Sequence, residues 1–256
     1  MTGLGRVFYP IWRTNNLRRT IIYLYKFSQR KTTKIIFQNK DDMEYFIAQK
    51  IINKTKTVLV NGSGVDLNKF KYSGNGYTKN KVLMISRLLG QKGVTHFLEA
   101  AYNIKKHNHN IEFVLIGKKE EGKDSIDFDI IKKYIENKSI TYISKSYKIY
   151  EEIKDCKIFV LPSIYREGMP RTMIEALAVG RPVIVSDIPG PKDFIINDHH
   201  GKILNKINSS FLTKAINDLI NLKKINYDKL SLNCRDIAEK KFDINIIIKT
   251  YESFIY

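Results

Sequence analysis

The sequence predicts an α/β protein whose core is a parallel β-sheet covered by helices. From about residue 81 onward, short apolar runs typical of strands alternate with helical patterns, as in βα units around a parallel sheet. Hydrophobic residues make up 43% of the 256 residues, which is a globular and not a disordered composition. Since a domain averages roughly 150 residues, the length indicates one large domain or one domain plus part of another.

The predicted elements follow one another with short connections. Apolar runs predict strands, in chain order, at 82–86, 112–116, 140–143, 157–161 and 182–185. Helical patterns follow at 94–106, 126–136, 149–153, 170–179, 210–222, 227–240 and 246–254. Upstream, strands at 34–38 and 57–60 flank a helix at 41–49, and this part is too small for a core of its own.

Two glycine-rich runs interrupt the pattern, Asn-Gly-Ser-Gly-Val-Asp at 61–66 and Ser-Gly-Asn-Gly at 73–76. Glycine supplies backbone freedom for a hinge or for close approach to a ligand, although a surface turn explains the second run equally well. We place a domain boundary here. The predicted units are 1–72, a larger domain at 73–244, and a C-terminal helix at 245–256 that packs back on the first unit.

Positive charge is concentrated in the first unit. The chain carries 44 Lys and Arg against 26 Asp and Glu, a net charge of +18, and residues 1–72 carry 14 against 4. Residues 1–39 hold eight basic and no acidic residues, interleaved with aromatic side chains. Three interpretations compete: a surface for anionic lipid, a nucleic-acid patch, or a helix whose aromatic residues face a core. No nucleic-acid-binding motif supports the second, so we predict no nucleic acid. The first and third interpretations both stay open, and the partner we predict is an anionic membrane surface.

Other patterns restrict the class of protein further. No stretch approaches the roughly 20 apolar residues of a membrane-spanning helix, and no signal-peptide pattern opens the chain, which predicts a cytoplasmic location. Cys156 and Cys234 are isolated, so no zinc or disulfide framework is expected. Walker and Gly-x-Gly-x-x-Gly motifs are missing, which argues against a kinase or a dehydrogenase.

The most informative motif is Arg-Glu-Gly-Met-Pro-Arg at 166–171, directly after the predicted strand 157–161. In a parallel sheet, ligands bind beyond the carboxyl ends of the strands. Gly168 permits close backbone approach, and Pro170 suits the first helical turn, so a positive helix end faces that edge. Glu167 and Glu175 could contact different parts of one extended ligand. In the alternative, Glu167 only favours the helix start and Glu175 is a solvated helix residue.

A second motif follows the first strand of the larger domain, Ser-Arg-Leu-Leu-Gly-Gln-Lys-Gly at 86–93. Its Arg87 and Lys92 would neutralise a diphosphate at the same edge of the sheet. Each alone is most often a surface cation. A basic turn and a helix N-terminus at one sheet edge together favour a phosphate-binding site.

These motifs, with Ala-Val-Gly-Arg-Pro-Val-Ile at 178–184 and the glycine run at 61–66, resemble the family 4 retaining glycosyltransferases of the GT-B fold. The resemblance implies a complete Rossmann-like C-terminal domain with a parallel sheet and the remnant of an N-terminal Rossmann-like domain. The 166–171 motif and Ile-Pro-Gly at 188–190 are similar to the subgroup that elongates lipid-linked sugars in bacterial surface polysaccharide or glycoprotein synthesis.

The resemblance also implies roles for single residues. Arg87 and Lys92 hold the donor diphosphate, and Glu167 contacts the donor sugar. Glu175 binds the ribose hydroxyls, and the uracil lies near Gly117 and residues 142–145. The backbone that helps to bind the sugar comes from four consecutive residues, Gly168, Met169, Pro170 and Arg171. The donor is a UDP-sugar, the transferred group a hexose or N-acetylhexosamine, and no metal or other cofactor is implied.

The opening residues 1–5 resemble an interior part of the family's N-terminal domain, so the chain is expected to be truncated on the acceptor side. A split gene, a separately encoded N-terminal half and a degenerate gene remain open. We expect an enzyme that acts on a lipid-linked acceptor at the inner face of the membrane. The rival interpretation is an inactive nucleotide-sugar-binding remnant. Asp127 and Asp129 match the metal motif of another glycosyltransferase fold, but we interpret them as helix-start acids.

Overall fold

The computed structural model describes residues 15–254 of the chain. Within this range it contains eight strands: β1 (Ile35–Phe37), β2 (Thr57–Leu59), β3 (Lys81–Ile85), β4 (Glu112–Ile116), β5 (Thr141–Ile143), β6 (Cys156–Leu161), β7 (Val183–Ser186) and β8 (Gly201–Leu204). The α-helices of the same range are α1 (Asn15–Ser28), α2 (Lys40–Ala48), α3 (Val94–Lys105), α4 (Phe128–Glu136), α5 (Ile149–Lys154), α6 (Arg171–Val179), α7 (Ser209–Ile220), α8 (Lys224–Lys241) and α9 (Ile244–Glu252).

The larger sheet has six parallel strands in the order β5-β4-β3-β6-β7-β8. The chain starts in the middle at β3, runs outward to β5, and returns beside β3 to run outward again from β6. Helices that return after each strand cover both faces, so β6 is buried along its whole length. The predicted parallel α/β fold is confirmed, and the change of direction between β3 and β6 creates a crevice at their carboxyl ends.

Two features of the larger domain, one strand and one helix start, differ from the sequence prediction. The sixth strand, β8, was not predicted, because its run of Gly, Lys, Ile and Leu is only half apolar and lies at the sheet edge. A Cβ on Gly201 would lie 1.9 Å from the Val183 carbonyl oxygen, so glycine permits the close pairing with β7. Pro170 was predicted inside the helix, but it is the N-cap, with an extended ψ of 119°, and α6 begins at Arg171.

The N-terminal part forms a small parallel sheet of β1 and β2 with a core of its own, so the expectation that it is too small for one is wrong. Phe37 and Phe46 are fully buried there, with ring centroids 5.5 Å apart. Tyr25 of α1 packs against this core, whereas Tyr23 and Phe27 of the same helix are 65% and 60% exposed. The basic aromatic segment therefore divides its aromatic residues between core and surface. Residues 1–14, which also belong to the predicted membrane surface, lie outside the described residues.

The glycine run at 61–66 lies where the two parts meet. Val65 exchanges backbone hydrogen bonds with Phe242 and Ile244, at 2.8 and 3.0 Å. A Cβ on Gly64 would lie 3.0 Å from atoms of Ile244 and Ile247, so the absence of a side chain lets α9 approach. Gly62 similarly faces Met169, at 2.7 Å. The domain boundary and the packing of the C-terminal helix stay predictions.

Arg181 ties the second glycine run to the larger domain. It is fully buried and donates to the carbonyl oxygens of Ser73, Ile153 and Lys154 at 2.8, 3.1 and 2.7 Å. A further bond reaches Asn75 Oδ1 at 3.2 Å. Since four neutral acceptors satisfy the buried guanidinium, it stabilises the packing of the second glycine run against the end of α5. Over the described range, no helix has the length and apolarity needed to cross a bilayer.

Candidate functional site

A cleft of about 440 Å³ opens at the carboxyl edge of the larger sheet. It lies beyond the ends of β3, β4 and β5, beside the first turns of α5 and α6. The walls include Ser86, Arg87, Gly117, Lys145, Ile149 and Thr172. Two of the residues predicted from the sequence, Arg87 and Gly117, thus line one cleft with the N-terminal turn of α6. The other predicted site residues do not line this cleft: Lys92 lies in the turn after β3, Glu167 to Pro170 lie in the loop between β6 and α6, and Arg171 and Glu175 lie in α6.

The first turn, residues 86–93, leads from β3 into α3. It closes with a 3₁₀ turn at Gly90–Lys92 and with Gly93 at a φ of +72°, a conformation that favours glycine. A Cβ on Gly93 would lie 2.1 Å from the Pro162 carbonyl oxygen, and the Ile164 amide donates to the Gln91 carbonyl at 2.7 Å. The turn after β3 is therefore joined directly to the turn after β6.

The Arg87 side chain is exposed in the cleft. It makes no hydrogen bond or ion pair with any residue between 15 and 254. An exposed guanidinium at the edge where a parallel sheet binds ligands can form a bidentate contact with a phosphate. The geometry is compatible with the predicted role of Arg87, and the role itself stays a prediction.

Lys92 and Glu167 form an ion pair across the two turns. The Lys92 Nζ lies 2.6 Å from Glu167 Oε2, and the side chains are only 17% and 14% exposed. The Ser163 hydroxyl donates to the other carboxylate oxygen, Oε1. The sequence predicted Lys92 and Glu167 as separate site residues, and the structure joins them. Ser163, the second residue after the end of β6, was given no role, although its place in the same loop is a signal for one.

The loop between β6 and α6 (residues 162–170) ends at the N-terminus of α6. Gly168 and Met169 are buried, and Pro170 provides no side-chain cap for the helix. A Cβ on Gly190 would lie 1.9 Å from the Gly168 carbonyl oxygen, so the loop after β7 packs tightly on this loop. The first amides of α6 and its positive dipole end face the sheet edge, which suits an anion.

Glu175 lies one turn into α6 and is 6% exposed. Burial raises the pKa of its carboxyl above the usual value, and a hydrogen bond from Arg171 opposes that rise. The Arg171 Nε lies 3.0 Å from Glu175 Oε1, but the arginine side chain is 70% exposed. The alternative interpretation of Glu175 as a solvated helix residue is therefore wrong, because the carboxylate is buried.

Gly117 follows β4 and has no room for a side chain. A Cβ there would lie 1.8 Å from the Ser86 carbonyl oxygen. Its amide donates to the Ile143 carbonyl at 3.0 Å, and its carbonyl accepts from the Tyr142 hydroxyl at 2.9 Å. Residues 142–145, which are predicted to contact the uracil together with Gly117, are thus hydrogen-bonded to Gly117. The same segment forms part of the cleft wall at Lys145.

The acidic pair at 127–129 serves a helix end. Asp127 is the N-cap of α4, and its side chain accepts from the Asp129 amide at 3.1 Å. This agrees with the interpretation as helix-start acids. Across residues 15–254, no group of three or more His, Cys, Asp or Glu side chains is placed to hold a metal ion.

Residues 66–241 match the family model of glycosyl transferases group 1, which covers more than half of the chain. The chain belongs to this glycosyltransferase family. The matched range contains β3 to β8 and both turns of the sheet edge, so the family signal and the candidate site coincide.

Relatives in other organisms share this similarity. The chain is 29% identical over 263 residues to the N,N'-diacetylbacillosaminyl-diphospho-undecaprenol alpha-1,3-N-acetylgalactosaminyltransferase of Campylobacter jejuni, covering 97% of this chain and 67% of the relative. It is also 29% identical over 244 residues to the UDP-Gal:alpha-D-GlcNAc-diphosphoundecaprenol alpha-1,3-galactosyltransferase of Escherichia coli, covering 89% of this chain and 62% of the relative. The chain spans about two thirds of the length of the curated relatives it matches.

Solved structures confirm the fold. Anabaena Alr3699/HepE in complex with UDP superposes with a TM-score of 0.80 at 19% identity, covering 97% of this chain and 70% of that one. A glycosyltransferase from Rickettsia africae gives 0.78 at 19% identity, covering 92% and 66%. The predicted GT-B fold and the resemblance to glycosyltransferases of lipid-linked sugars are confirmed, and the roles of single site residues stay predictions.

Proposed function

We propose that the chain is the donor-binding part of a retaining glycosyltransferase that moves a hexose or N-acetylhexosamine from a UDP-sugar to a lipid-linked glycan. The synthesis would be that of a surface polysaccharide or glycoprotein. The observation that carries the proposal is the convergence of the basic turn after β3 and the N-terminus of α6 at one edge of the sheet. Relatives named for undecaprenol-linked acceptors support the acceptor class.

Transfer breaks the bond between the anomeric carbon of the sugar and a diphosphate oxygen, and negative charge develops on that leaving group. Arg87, Lys92 and the N-terminus of α6 supply positive charge at this edge before the reaction begins, which stabilises the transition state by preorganised electrostatics. Lys92 has three N–H donors, so it can keep its 2.6 Å contact with Glu167 and also donate to a phosphate oxygen. Removing one such donor typically costs about 3–4 kcal/mol of barrier.

The remaining residues orient the donor. Glu167, held by Lys92 and Ser163, would accept a hydrogen bond from a sugar hydroxyl, with help from the backbone between Gly168 and Arg171. Glu175 would accept from the ribose hydroxyls, which would satisfy a carboxylate that burial leaves poorly solvated. The base would lie against Gly117 and residues 142–145. No metal or organic cofactor takes part in this proposal.

Calorimetry with UDP and with a UDP-N-acetylhexosamine tests the donor site. We expect Arg87→Ala and Glu175→Ala to weaken UDP about tenfold or more, because each removes a charged contact with the nucleotide diphosphate or ribose. Glu167→Ala should alter chiefly the affinity for the sugar nucleotide relative to UDP. Lys214→Ala, an exposed residue of α7, is the control. Unchanged UDP affinity in the Arg87 and Glu175 variants would remove the proposed site.

We also propose that the protein is peripheral on the inner face of the cell membrane, where a lipid-linked acceptor lies. Support comes from the outward side of α1. Tyr23, Leu24 and Phe27 are 57–65% exposed there, and Arg19 and Lys26 are exposed beside them. An apolar stripe next to cations is typical of helices that lie in a membrane interface.

Sedimentation with vesicles of phosphatidylglycerol or of phosphatidylcholine tests this surface. Each cation near an anionic surface contributes about 1 kcal/mol, so Arg19→Gln with Lys26→Gln should weaken binding to anionic vesicles about fivefold per charge. The matched control replaces Lys223 and Lys229, two exposed cations near the start of α8, by Gln. Equal loss in both double variants, or equal binding to both lipids, would contradict the proposal.

A second candidate is a nucleotide-sugar-binding protein that transfers no sugar by itself and requires a separately encoded N-terminal half. The observation that favours it is the small sheet, in which the described residues supply only two parallel strands. Parallel sheets ordinarily have more strands and are covered on both faces. Turnover of a UDP-sugar with a lipid-linked acceptor, by the 256-residue chain alone, separates the two candidates: robust turnover excludes the second.

A further inference from the structure

The N-terminus of α2 contacts the loop between β6 and α6 through two buried polar side chains. Asn39, the N-cap of α2, is 1% exposed and Asp42 is 2% exposed. The Asn39 Oδ1 accepts from the Asp42 amide at 2.7 Å, and the Asn39 Nδ2 donates to Asp42 Oδ2 at 2.9 Å. These two bonds explain Asn39 as a helix cap. They leave one N–H of its side-chain amide for a third partner.

That third partner is the backbone carbonyl of Glu167, 3.2 Å from Asn39 Nδ2 and 128 residues further along the chain. Beside it, Asp42 Oδ1 lies 3.4 Å from the Nε of Arg166. The start of α2 therefore holds two consecutive residues of the loop. One of them is Glu167, whose carboxylate contacts Lys92 and Ser163.

The bond from Asn39 determines the orientation of a whole peptide group. In a trans peptide, the Glu167 carbonyl and the Gly168 N–H share one plane and point in opposite directions. No described peptide bond is cis. The Gly168 amide makes no hydrogen bond with a residue of the described range, and glycine has no Cβ to restrain rotation. Asn39 therefore keeps the buried Gly168 N–H directed away from α2, and no residue of the described range accepts from it.

We propose that Asn39 is a positioning residue for the donor sugar. By holding the Glu167–Gly168 peptide, it presents the Gly168 amide to the sugar next to the Glu167 carboxylate. Sugar recognition in the larger domain then depends on contact with α2 in the N-terminal part. The inference rests on the proposed function, because that function assigns the sugar to this loop.

The test uses Asn39→Ser in the full chain. Serine caps a helix about as well as asparagine, but its side chain is too short to reach the Glu167 carbonyl as well. The matched control is Asn208→Ser, since Asn208 caps α7 through an equivalent bond to the Phe211 amide at 2.9 Å and is exposed. Asn39→Thr is a second variant with the same expectation, in case the serine variant does not fold.

Calorimetry with UDP and UDP-N-acetylgalactosamine provides the functional readout. We expect Asn39→Ser to leave UDP affinity within twofold and to lower the affinity for the sugar nucleotide, relative to UDP, about three- to tenfold, as for one lost hydrogen bond. Hydrogen exchange of residues 164–170 without ligand should become faster. Asn208→Ser should change neither quantity.

Three results would overturn the inference. An unchanged ratio of the two affinities, an equal loss for both ligands, or unchanged hydrogen exchange each leaves Asn39 as a helix cap only. Failure of the proposed function gives a different result, because Glu167→Ala would then also leave the ratio of the affinities for the sugar nucleotide and for UDP unchanged. If Glu167→Ala changes the ratio and both Asn39 variants do not, only the inference about Asn39 fails.

Discussion

Replacing Lys92 by methionine removes the cation that holds Glu167 and keeps most of the aliphatic side chain. The two charged groups lie 2.6 Å apart, and their side chains are 17% and 14% exposed. In the variant, the Glu167 carboxylate would stay largely buried, with the Ser163 hydroxyl as a remaining donor. A carboxylate that loses its cation in such a place destabilises the folded state.

The exposure of the pair sets the expected magnitude. Breaking a fully buried ion pair costs about 3–5 kcal/mol, whereas an exposed pair contributes about 0.2–1 kcal/mol. Because some water reaches Lys92 and Glu167 and the Ser163 bond remains, we expect a loss of about 2 kcal/mol. For a chain of this size, that corresponds to a fall in Tm of about 4–8 °C. Lys79→Met is the control, since Lys79 pairs with Asp155 at 3.0 Å with side chains 30% and 49% exposed.

Urea denaturation of Lys92→Met, Glu167→Gln and the double variant measures the free energy of unfolding. Glutamine carries no charge, so the double variant should lose less than the sum of the single losses, by about 1–2 kcal/mol. Additive losses, or a loss for Lys92→Met no larger than that for Lys79→Met, would refute the argument that this pair is a buried, coupled unit.

Three further predictions concern stability. Burial raises the pKa of Glu175, so the stability that its protonated carboxyl contributes is lost as pH rises above the usual carboxyl pKa. Glu175→Gln should therefore match or exceed the wild-type Tm at pH 7, and the difference should vanish at about pH 4. A lower Tm of the variant at pH 7 would contradict this. Arg181→Lys should cost about 2–4 kcal/mol in denaturant unfolding, because one ammonium cannot replace a guanidinium that reaches four acceptors; a loss below about 1 kcal/mol would show that the site adapts. Gly93→Ala should lower Tm and UDP affinity more than Gly122→Ala. Both glycines have a positive φ, but only a Cβ at residue 93 would meet backbone, 2.1 Å from the Pro162 carbonyl oxygen. Equal effects of the two substitutions would show that the positive φ alone causes the loss of stability.

Particular residues show how far local pattern could predict the site. These candidates were identifiable because each lies in a turn, or one turn into a helix, after an apolar run, and parallel strands present those turns at one edge: Arg87, Lys92, Glu167 and Glu175. The edge strand β8 was missed because its sequence is half polar. The burial of Glu175 was likewise not predictable, because it depends on residues packed over α6 and not on the neighbours of Glu175 in the chain.

By itself, the sequence determined the parallel α/β class and most of its strands and helices, because hydrophobic periodicity and turn residues act over a few neighbouring positions. The glycosyltransferase family was indicated by the resemblance of its motifs, and not by periodicity. Only the tertiary structure decided that β3 and β6 are neighbours, that Lys92 pairs with Glu167, and that Asn39 bonds to a carbonyl 128 residues away. These contacts depend on which buried surfaces pack together. Periodicity indicates which face of an element is buried, and it carries no information about which distant element covers that face.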